Sequence, residues 1–345
     1  MTKKTSQDPL LSICIISYNT EALTLQTLRS VCIDIVRSPQ LAEQHEIIVV
    51  DNASTDNSVP SIKRLQNEFP DIALTVLSNS KNLGFAGANN QAFQKATGRY
   101  LLLLNSDTLV QAGALDKLVA AMANHQPNEA TAHLSSEQKP FDKLGILAAT
   151  LLNWNGTEQP QGGDVPSLVS LAMQQFFLDD LPLVGKYLPS IQKTGKHAAS
   201  IDLNEPSQNQ SLIPKGWVGG TAMLVRSELI AEIGPLDENI FMYGEDVEFC
   251  LRARHHHWDV AQHPLARITH FQNASSSAAN AILGEIKGML YIWSKHKPIW
   301  QYQFARSILV LGTLLRIGLF SVLKKPAAVT AYQTALQYLR QDSNA

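Results

Sequence analysis

The chain has 345 residues, 45% of them hydrophobic, and a formal net charge of -2. This length supports a large core, either one elaborated domain or two closely joined ones. The near-neutral charge provides no overall basic field, so nucleic acid is not expected as a partner.

The cysteines carry no metal-binding or disulfide pattern. Cys14, Cys32 and Cys250 are far apart and form no C-x-x-C pair. We interpret them as reduced residues of a cytoplasmic protein. Residues 1–9 are polar and show no apolar signal region.

The first half of the chain alternates apolar strands with helices. The predicted strands are 11–17, 46–51, 73–77 and 100–104, and the predicted helices are 21–36, one that ends near 69, and 83–96. Such alternation with short connections is typical of βαβ units and a parallel sheet.

Three of these strands end in polar turns, of which the one after the fourth strand stands out. Four leucines, 101–104, lead directly into Asn105, Ser106 and Asp107, and such a run predicts a strand buried on both faces. The other two turns are Tyr18-Asn19 and Asp51-Asn52. Because parallel strands present their carboxyl ends at one edge, the three turns together predict a ligand site. Taken alone, Asp107 could instead cap a helix that begins near Ala112.

The second half is less regular. A strand is predicted at 144–152, a turn-rich segment at 153–163, and a mobile, partly helical lid or acceptor wall at 166–214. Trp217 is a candidate sugar platform, with a core tryptophan as the alternative. Strand 222–225 follows, and Glu245 and Asp246 open a helix, where two acids would also be favourable partners of the helix dipole.

The ordered motifs resemble those of a known enzyme family. They are Ser17-Tyr18-Asn19, 51–56, 82–90, Asn105-Ser106-Asp107, 219–226, 234–238 and 241–248. Together they resemble family-2 inverting glycosyltransferases of the GT-A fold, most closely the rhamnosyltransferase branch, over residues 10–275. One departure is that Asn105 stands where the family's D-x-D motif has its first aspartate, which leaves Asp107 as the carboxylate ligand.

The resemblance implies a fold and a set of site residues. The fold would be α/β, a GT-A (Rossmann-like) mostly parallel central sheet flanked by helices, with a helical C-terminal extension. Asp246 would be the catalytic base, with Glu245 as its competitor, and Asp107 and His270 would hold Mg²⁺ or Mn²⁺, although His270 could also be a hydrogen-bonded structural residue. The nucleotide and donor sugar would be bound by Ser17, Tyr18, Asn19, Asp51, Lys81, Asn82, Gly84, Asn90, Asn105 and Ser106. The acceptor would be bound by Trp217, Gly219, Gly220 and Glu245.

The implied domains are a glycosyltransferase domain, 1–275, and a helical extension, 276–345. Within the first, 1–125 would be the nucleotide-sugar half and 144–275 the acceptor and catalytic half, with the insertion at 153–214. Residues 307–323 are strongly apolar but contain Arg316 and fall slightly short of the roughly 20 residues that span a bilayer. An interfacial helix with peripheral membrane contact through 303–325 fits better. Packing on the protein's own core or on a dimer partner is the alternative, which leaves a homo-oligomer open.

The resemblance also implies an activity and a place in the cell. We expect transfer of a sugar, L-rhamnose from dTDP-rhamnose, to a saccharide or lipid-linked saccharide acceptor in cell-surface polysaccharide synthesis. The enzyme would work in the cytoplasm at the inner face of the membrane. The alternatives are a UDP-sugar donor (galactofuranose or a hexose) and a non-catalytic nucleotide- or carbohydrate-binding protein.

Overall fold

A mixed β-sheet organises the part of the chain that the computed structural model describes, residues 9–125, 141–181, 188, 191, 211–272 and 278–341. The strands are β1 Leu11–Ser17, β2 His45–Asp51, β3 Leu74–Ser78, β4 Tyr100–Asn105, β5 Thr108–Val110, β6 Leu144–Leu152, β7 Ile213–Pro214, β8 Ala222–Arg226 and β9 Asp259–His270. The helices are α1 Glu21–Arg37, α2 Ser58–Glu68, α3 Gly84–Lys95, α4 Ala114–Asn124, α5 Leu168–Gln175, α6 Ser227–Ile233, α7 Glu245–His255, α8 Ala278–His296, α9 Ile299–Val322 and α10 Pro326–Gln341.

The sheet has the strand order β3-β2-β1-β4-β8-β6-β9-β5, with β7 beside β9. Its first four strands are parallel, as predicted. The other half is mixed, because β8 runs antiparallel to β4 and β6 while β6 and β9 are parallel. The α/β class with helices on both sides of a central sheet is therefore confirmed.

The leucines of β4 divide between two hydrophobic cores. Leu101 and Leu103 face a core that contains α3, α7, α8 and α9, whereas Leu102 and Leu104 face a core that contains α1 and α4. Successive strand residues point to opposite faces, so a strand covered on both sides needs apolar residues throughout. Strand β4 thus holds the following turn, Asn105 to Asp107, at the centre of one sheet edge.

The turn after β4 differs from one alternative left open by the sequence. Asp107 does not cap a helix, because the short strand β5 follows it and α4 begins only at Ala114, with Gly113 at the cap position. The sequence predicts a strand only over residues 266–269, just before His270, whereas β9 begins at Asp259. Its first half contains polar residues such as Gln262 and His263, which are buried and hydrogen-bonded to neighbouring strands or to their own turn, so no apolar pattern marks it.

The C-terminal helices pack on the sheet domain. A Cβ atom added to Gly288 of α8 would lie 2.0 Å from the carbonyl oxygen of Tyr243, so α8 touches the backbone just before α7. The lid predicted at 166–214 is described only in part. Helix α5 lies in it and Arg316 of α9 donates to the Gln175 carbonyl oxygen at 2.7 Å, but 182–187, 189–190 and 192–210 lie outside the described residues.

Candidate active site

The end of β2 provides a carboxylate with an unused acceptor. Asp51 is 3% exposed, and its Oδ2 accepts a hydrogen bond from the backbone N–H of Ser54 at 3.1 Å. Among the described residues its Oδ1 is buried without a hydrogen-bond partner. A buried unpaired carboxylate oxygen is costly, so this atom is suited to accept a hydrogen bond from a ligand N–H.

The turn after β1 braces the turn after β2. The side chain of Asn19 accepts from the Thr55 N–H at 2.8 Å, and the Asn19 N–H donates to Ser54 Oγ at 2.9 Å. Ser17 is fully buried and its hydroxyl lies 2.9 Å from that of Thr24. The side chains of Ser17 and Asn19 therefore shape this corner, and Tyr18, partly exposed, lies between them.

The segment that leads into α3 is held by Asn52, which the sequence suggested only as a turn residue. Asn52 donates to Asn82 Oδ1 at 2.9 Å and to the Gly84 carbonyl at 3.1 Å, and accepts from the Leu83 N–H at 3.0 Å. Gly84 has φ +77°, and a Cβ there would lie 2.3 Å from the Phe241 carbonyl. The lack of a side chain at Gly84 thus serves contact with the loop before α7. Lys81, at the start of this segment, is exposed.

Two of the predicted donor residues make structural contacts instead. Asn90 is 3% exposed, and its side chain bonds the N–H and carbonyl of Leu236 and the carboxylate of Glu238. These bonds join α3 to the loop before α7 and argue against direct donor contact. Ser106 is similarly engaged, its hydroxyl 3.2 Å from that of Thr20, while Asn105, partly exposed, donates its N–H to the Thr221 carbonyl.

Asp107 and His270 are brought together, as predicted. Strands β5 and β9 pair antiparallel with Thr108 opposite His270. Asp107 Oδ1 consequently lies 3.3 Å from His270 Nε2, and both side chains are largely buried. Metal ligands at adjacent corners of an octahedron with bonds of about 2.1 Å lie about 3 Å apart, so the pair fits one divalent ion. Within the described residues no group of three or more His, Cys, Asp or Glu side chains is placed to hold a metal ion, so the other ligands would be diphosphate oxygens and water.

Asp246 lies at the start of α7 and faces the end of β4. Its carboxylate accepts from the Gly220 N–H at 3.1 Å and from its neighbour Val247 at 2.8 Å. A Cβ at Gly219 would lie 3.8 Å from Asp246 Oδ2, so both glycines border the carboxylate. Burial raises the pKa of Asp246, and the two backbone donors only partly offset this. The residue as a whole is partly exposed.

Glu245 is buried beneath the site, contrary to the prediction that it binds the acceptor. It is 5% exposed, and its Oε2 has no hydrogen-bond partner within the described ranges. Burial, reinforced by the Asp246 charge, raises the pKa of Glu245 well above its usual value. Because burial and the neighbouring charge disfavour the ionised form of Glu245, Asp246 is the better candidate for a base.

The predicted sugar platform is a core residue. Trp217 is 7% exposed, belongs to the core on the α7 side of the sheet, and donates its indole N–H to the Ile191 carbonyl. Trp154, in contrast, is 77% exposed and lies 5.7 Å from the ring of Phe271, which directly follows His270. In the sequence, the sign of this exposed aromatic pair was a tryptophan within a polar, turn-rich segment.

The first part of the chain matches a known protein family. Residues 12–145 match the family model "Glycosyl transferase family 2". This segment contains β1 to β5, with Asp51 and Asp107. Residues 12–145 belong to glycosyltransferase family 2.

Similarity to curated proteins extends beyond that segment. The chain is 22% identical over 269 residues to the N-acetylglucosaminyl-diphospho-decaprenol L-rhamnosyltransferase of Mycobacterium tuberculosis, which covers 74% of this chain and 76% of the relative. It is 34% identical over 115 residues to the UDP-Glc:alpha-D-GlcNAc-diphosphoundecaprenol beta-1,3-glucosyltransferase WfgD of Escherichia coli, which covers 33% of this chain and 42% of the relative.

Solved structures agree on the fold. The mannosyltransferase PcManGT of Pyrobaculum calidifontis, solved with GDP-Man and Mn²⁺, aligns with a TM-score of 0.52 and 16% identity over 96% of this chain and 88% of its own. GalNAc-T7, solved with UDP, GalNAc and Mn²⁺, aligns with a TM-score of 0.53 and 15% identity over 83% of this chain and 50% of its own. The chain therefore has the GT-A fold.

Proposed function

We propose that the chain is a metal-dependent inverting glycosyltransferase that transfers L-rhamnose from dTDP-rhamnose to a saccharide or lipid-linked saccharide in cell-surface polysaccharide synthesis. The observation that carries this proposal is the placement of three acidic residues along one edge of the sheet. Asp51, Asp107 and Asp246 lie at or just beyond the ends of β2 and β4 and beside the start of β8. Each group suits a different part of one reaction.

The nucleotide would lie at Asp51. Thymine and uracil both carry a ring N–H, and the unpaired Oδ1 of Asp51 is a strong acceptor for it. This contact does not separate dTDP from UDP donors. The preference for rhamnose rests on the mycobacterial rhamnosyltransferase, which matches three quarters of this chain. A UDP-hexose donor is the second candidate, because WfgD uses UDP-Glc.

The diphosphate would lie at Asp107 and His270. A carboxylate oxygen and an imidazole nitrogen suit Mn²⁺, and the carboxylate also suits Mg²⁺. A divalent ion bound there would neutralise the charge that develops on the leaving diphosphate. Asn105 and Ser106 would support the turn that carries Asp107.

Asp246 would take the proton from the acceptor hydroxyl. Inversion requires one displacement at the anomeric carbon: the acceptor oxygen forms the new bond as the bond to the diphosphate breaks. The hydroxyl proton passes to Asp246, whose pKa is raised by burial and thus lies closer to neutral pH. The backbone of Gly219 and Gly220 would border the acceptor.

A donor panel tests this proposal. Purified protein is incubated with dTDP-rhamnose, UDP-galactofuranose, UDP-glucose and GDP-mannose, with Mn²⁺, Mg²⁺ or EDTA, and a GlcNAc-diphospholipid acceptor analogue, and product linkage is determined. We expect metal-dependent transfer of rhamnose with inversion. Transfer of another sugar would show that the donor is not dTDP-rhamnose. Absence of both transfer and donor hydrolysis would favour a non-catalytic binding protein.

We also propose that the extension holds the enzyme at the inner face of the cell membrane through α9. This helix is long and apolar enough to cross a membrane by length and composition. Its inner face, including Ala305 and Leu309, is buried on the protein. Its outer face exposes Trp300, Phe304, Leu311, Leu315 and Val322 at helical spacing. Lys297 precedes the helix, and Lys324 and Lys325 follow it, an arrangement suited to an anionic bilayer surface.

Substitution tests this location better than deletion, because removing α9 would expose the core. Phe304→Glu combined with Leu311→Glu should abolish binding to vesicles that contain anionic lipid, while water-soluble donor hydrolysis continues. Val36→Glu on α1 is the matched control, since Val36 is 60% exposed on another surface. Unchanged vesicle binding with a change from dimer to monomer would assign the face to a second copy of the chain.

A further inference from the structure

Gln159 occupies a position between the ends of β6 and β9. It is 3% exposed. Its Nε2 donates to the Leu152 carbonyl at 3.2 Å and to the His270 carbonyl at 2.7 Å. Because a carbonyl oxygen accepts but cannot donate, the amide nitrogen must face these two groups. The orientation of the Gln159 side chain is therefore determined by its surroundings.

This orientation determines the protonation pattern of the His270 ring. Gln159 Oε1 lies 3.0 Å from His270 Nδ1. An amide oxygen only accepts, so Nδ1 must carry the hydrogen. In the neutral ring the lone pair is then on Nε2, the atom that lies 3.3 Å from Asp107 Oδ1. The nitrogen that faces the carboxylate is thus free to bind a cation.

We propose that Gln159 is a positioning residue that fixes the Nδ1–H tautomer of His270 and thereby makes the Asp107–His270 pair competent to bind a divalent cation. The inference rests on the metal site of the proposed function and adds a residue to it. Without the amide oxygen, the ring proton can move to Nε2 or the ring can turn away. Loss of such a hydrogen bond behind a histidine ligand typically weakens metal binding by about 10- to 100-fold.

Three variants separate this role from simple strand bracing. Gln159→Leu removes both the acceptor and the donor. Gln159→Glu keeps an oxygen for Nδ1–H but loses the N–H bonds to the two carbonyls. If Gln159 only holds the two strand ends together, Gln159→Glu should weaken Mn²⁺ binding as much as Gln159→Leu does. Gln262→Leu is the matched control, because Gln262 of β9 is also buried but bonds Thr150 of β6 rather than His270.

Two measurements are independent of catalysis. Long-range ¹H–¹⁵N NMR of the metal-free protein, with the signal assigned by His270→Ala, reports which ring nitrogen carries the proton. Titration with Mn²⁺ in the presence of UDP or dTDP, followed by electron paramagnetic resonance, reports cation affinity. We expect Nδ1–H in the wild type, in Gln159→Glu and in Gln262→Leu. In Gln159→Leu we expect Nε2–H and about 10- to 100-fold weaker Mn²⁺ binding.

The outcomes distinguish the inference from the proposed function. An unchanged tautomer or unchanged Mn²⁺ affinity in Gln159→Leu would overturn the inference while leaving the metal site intact. Equal losses of Mn²⁺ affinity in Gln159→Leu and Gln159→Glu would also overturn it, because both variants lose the hydrogen bonds that join the ends of β6 and β9. A wild type that binds no Mn²⁺ with either nucleotide would overturn the metal site itself and the inference with it.

Discussion

Replacement of the proposed base gives the sharpest test of the mechanism. Asp246→Asn keeps the shape of the side chain, and one oxygen can still accept from either Gly220 or Val247. The other position then places an amide NH₂ against a backbone N–H, which should cost about 1–3 kcal/mol of stability. Loss of proton transfer should lower kcat by about 10²- to 10⁴-fold, or roughly 3–5 kcal/mol of barrier.

Glu245→Gln is the matched control one residue away. Burial raises the pKa of Glu245, so its side chain is expected to be a neutral acid that Gln resembles in shape and charge. We expect kcat to stay within about fivefold of wild type, and donor and metal affinity to stay within a few-fold in both variants.

The assay is acceptor-dependent release of nucleoside diphosphate, with donor affinity measured by calorimetry. In wild type, kcat/KM should fall as the pH drops through the Asp246 pKa, which lies above the usual 3.8. This loss should disappear from the residual activity of Asp246→Asn. Near wild-type turnover of Asp246→Asn with an inactive Glu245→Gln would assign the base to Glu245. Activity of both variants would show that the base is a different residue.

The remaining predictions concern the metal, the fold and the acceptor. Asp107→Ala should abolish, and His270→Ala weaken, metal-dependent binding of nucleoside diphosphate in calorimetry; full activity of the Asp107 variant or of wild type in excess EDTA would contradict this. Burial raises the pKa of Glu248, but hydrogen bonds from its basic partners outweigh burial and lower it overall, so Glu248→Gln should cost about 3 kcal/mol at neutral pH. Its denaturation midpoint should approach that of wild type as the pH falls below 4.5; a constant difference would refute the linkage. We expect the exposed ring of Trp154, beside Phe271, to stack on the acceptor sugar, so Trp154→Ala should raise the acceptor KM about 3- to 10-fold at unchanged stability; an unchanged KM would reject this role.

Local sequence patterns predicted most of the fold because the first half of the chain alternates apolar strands and helices regularly. The run of leucines in β4 reports burial on both faces, and the polar turns after β1, β2 and β4 mark strand ends. Asp51 and Asp107 could be found in this way. Strand β9 could not be predicted in full, since Gln262 and His263 are buried through specific hydrogen bonds that leave no apolar period.

The parts of the site that escaped prediction depend on contacts between distant residues. Gln159 and His270 are separated by 111 positions, and no local pattern identifies a glutamine whose role is set by a partner so far along the chain. Trp217 shows the reverse case. A tryptophan beside glycines looked like a ligand platform, but its surroundings in three dimensions make it part of the core.

The C-terminal helices contact the residues around α7, the helix that carries the proposed base. Glu248 of α7 has a fully buried side chain that contacts Lys295 and His296 of α8 at 2.8 and 3.1 Å. Gly288 of α8 lies against the backbone of Tyr243, three residues before Asp246. The same helical layer includes α9, whose outer face is the proposed membrane contact. A membrane surface that holds α9 would therefore lie against a layer that also contacts the helix of the proposed base, which is consistent with an acceptor delivered from that surface.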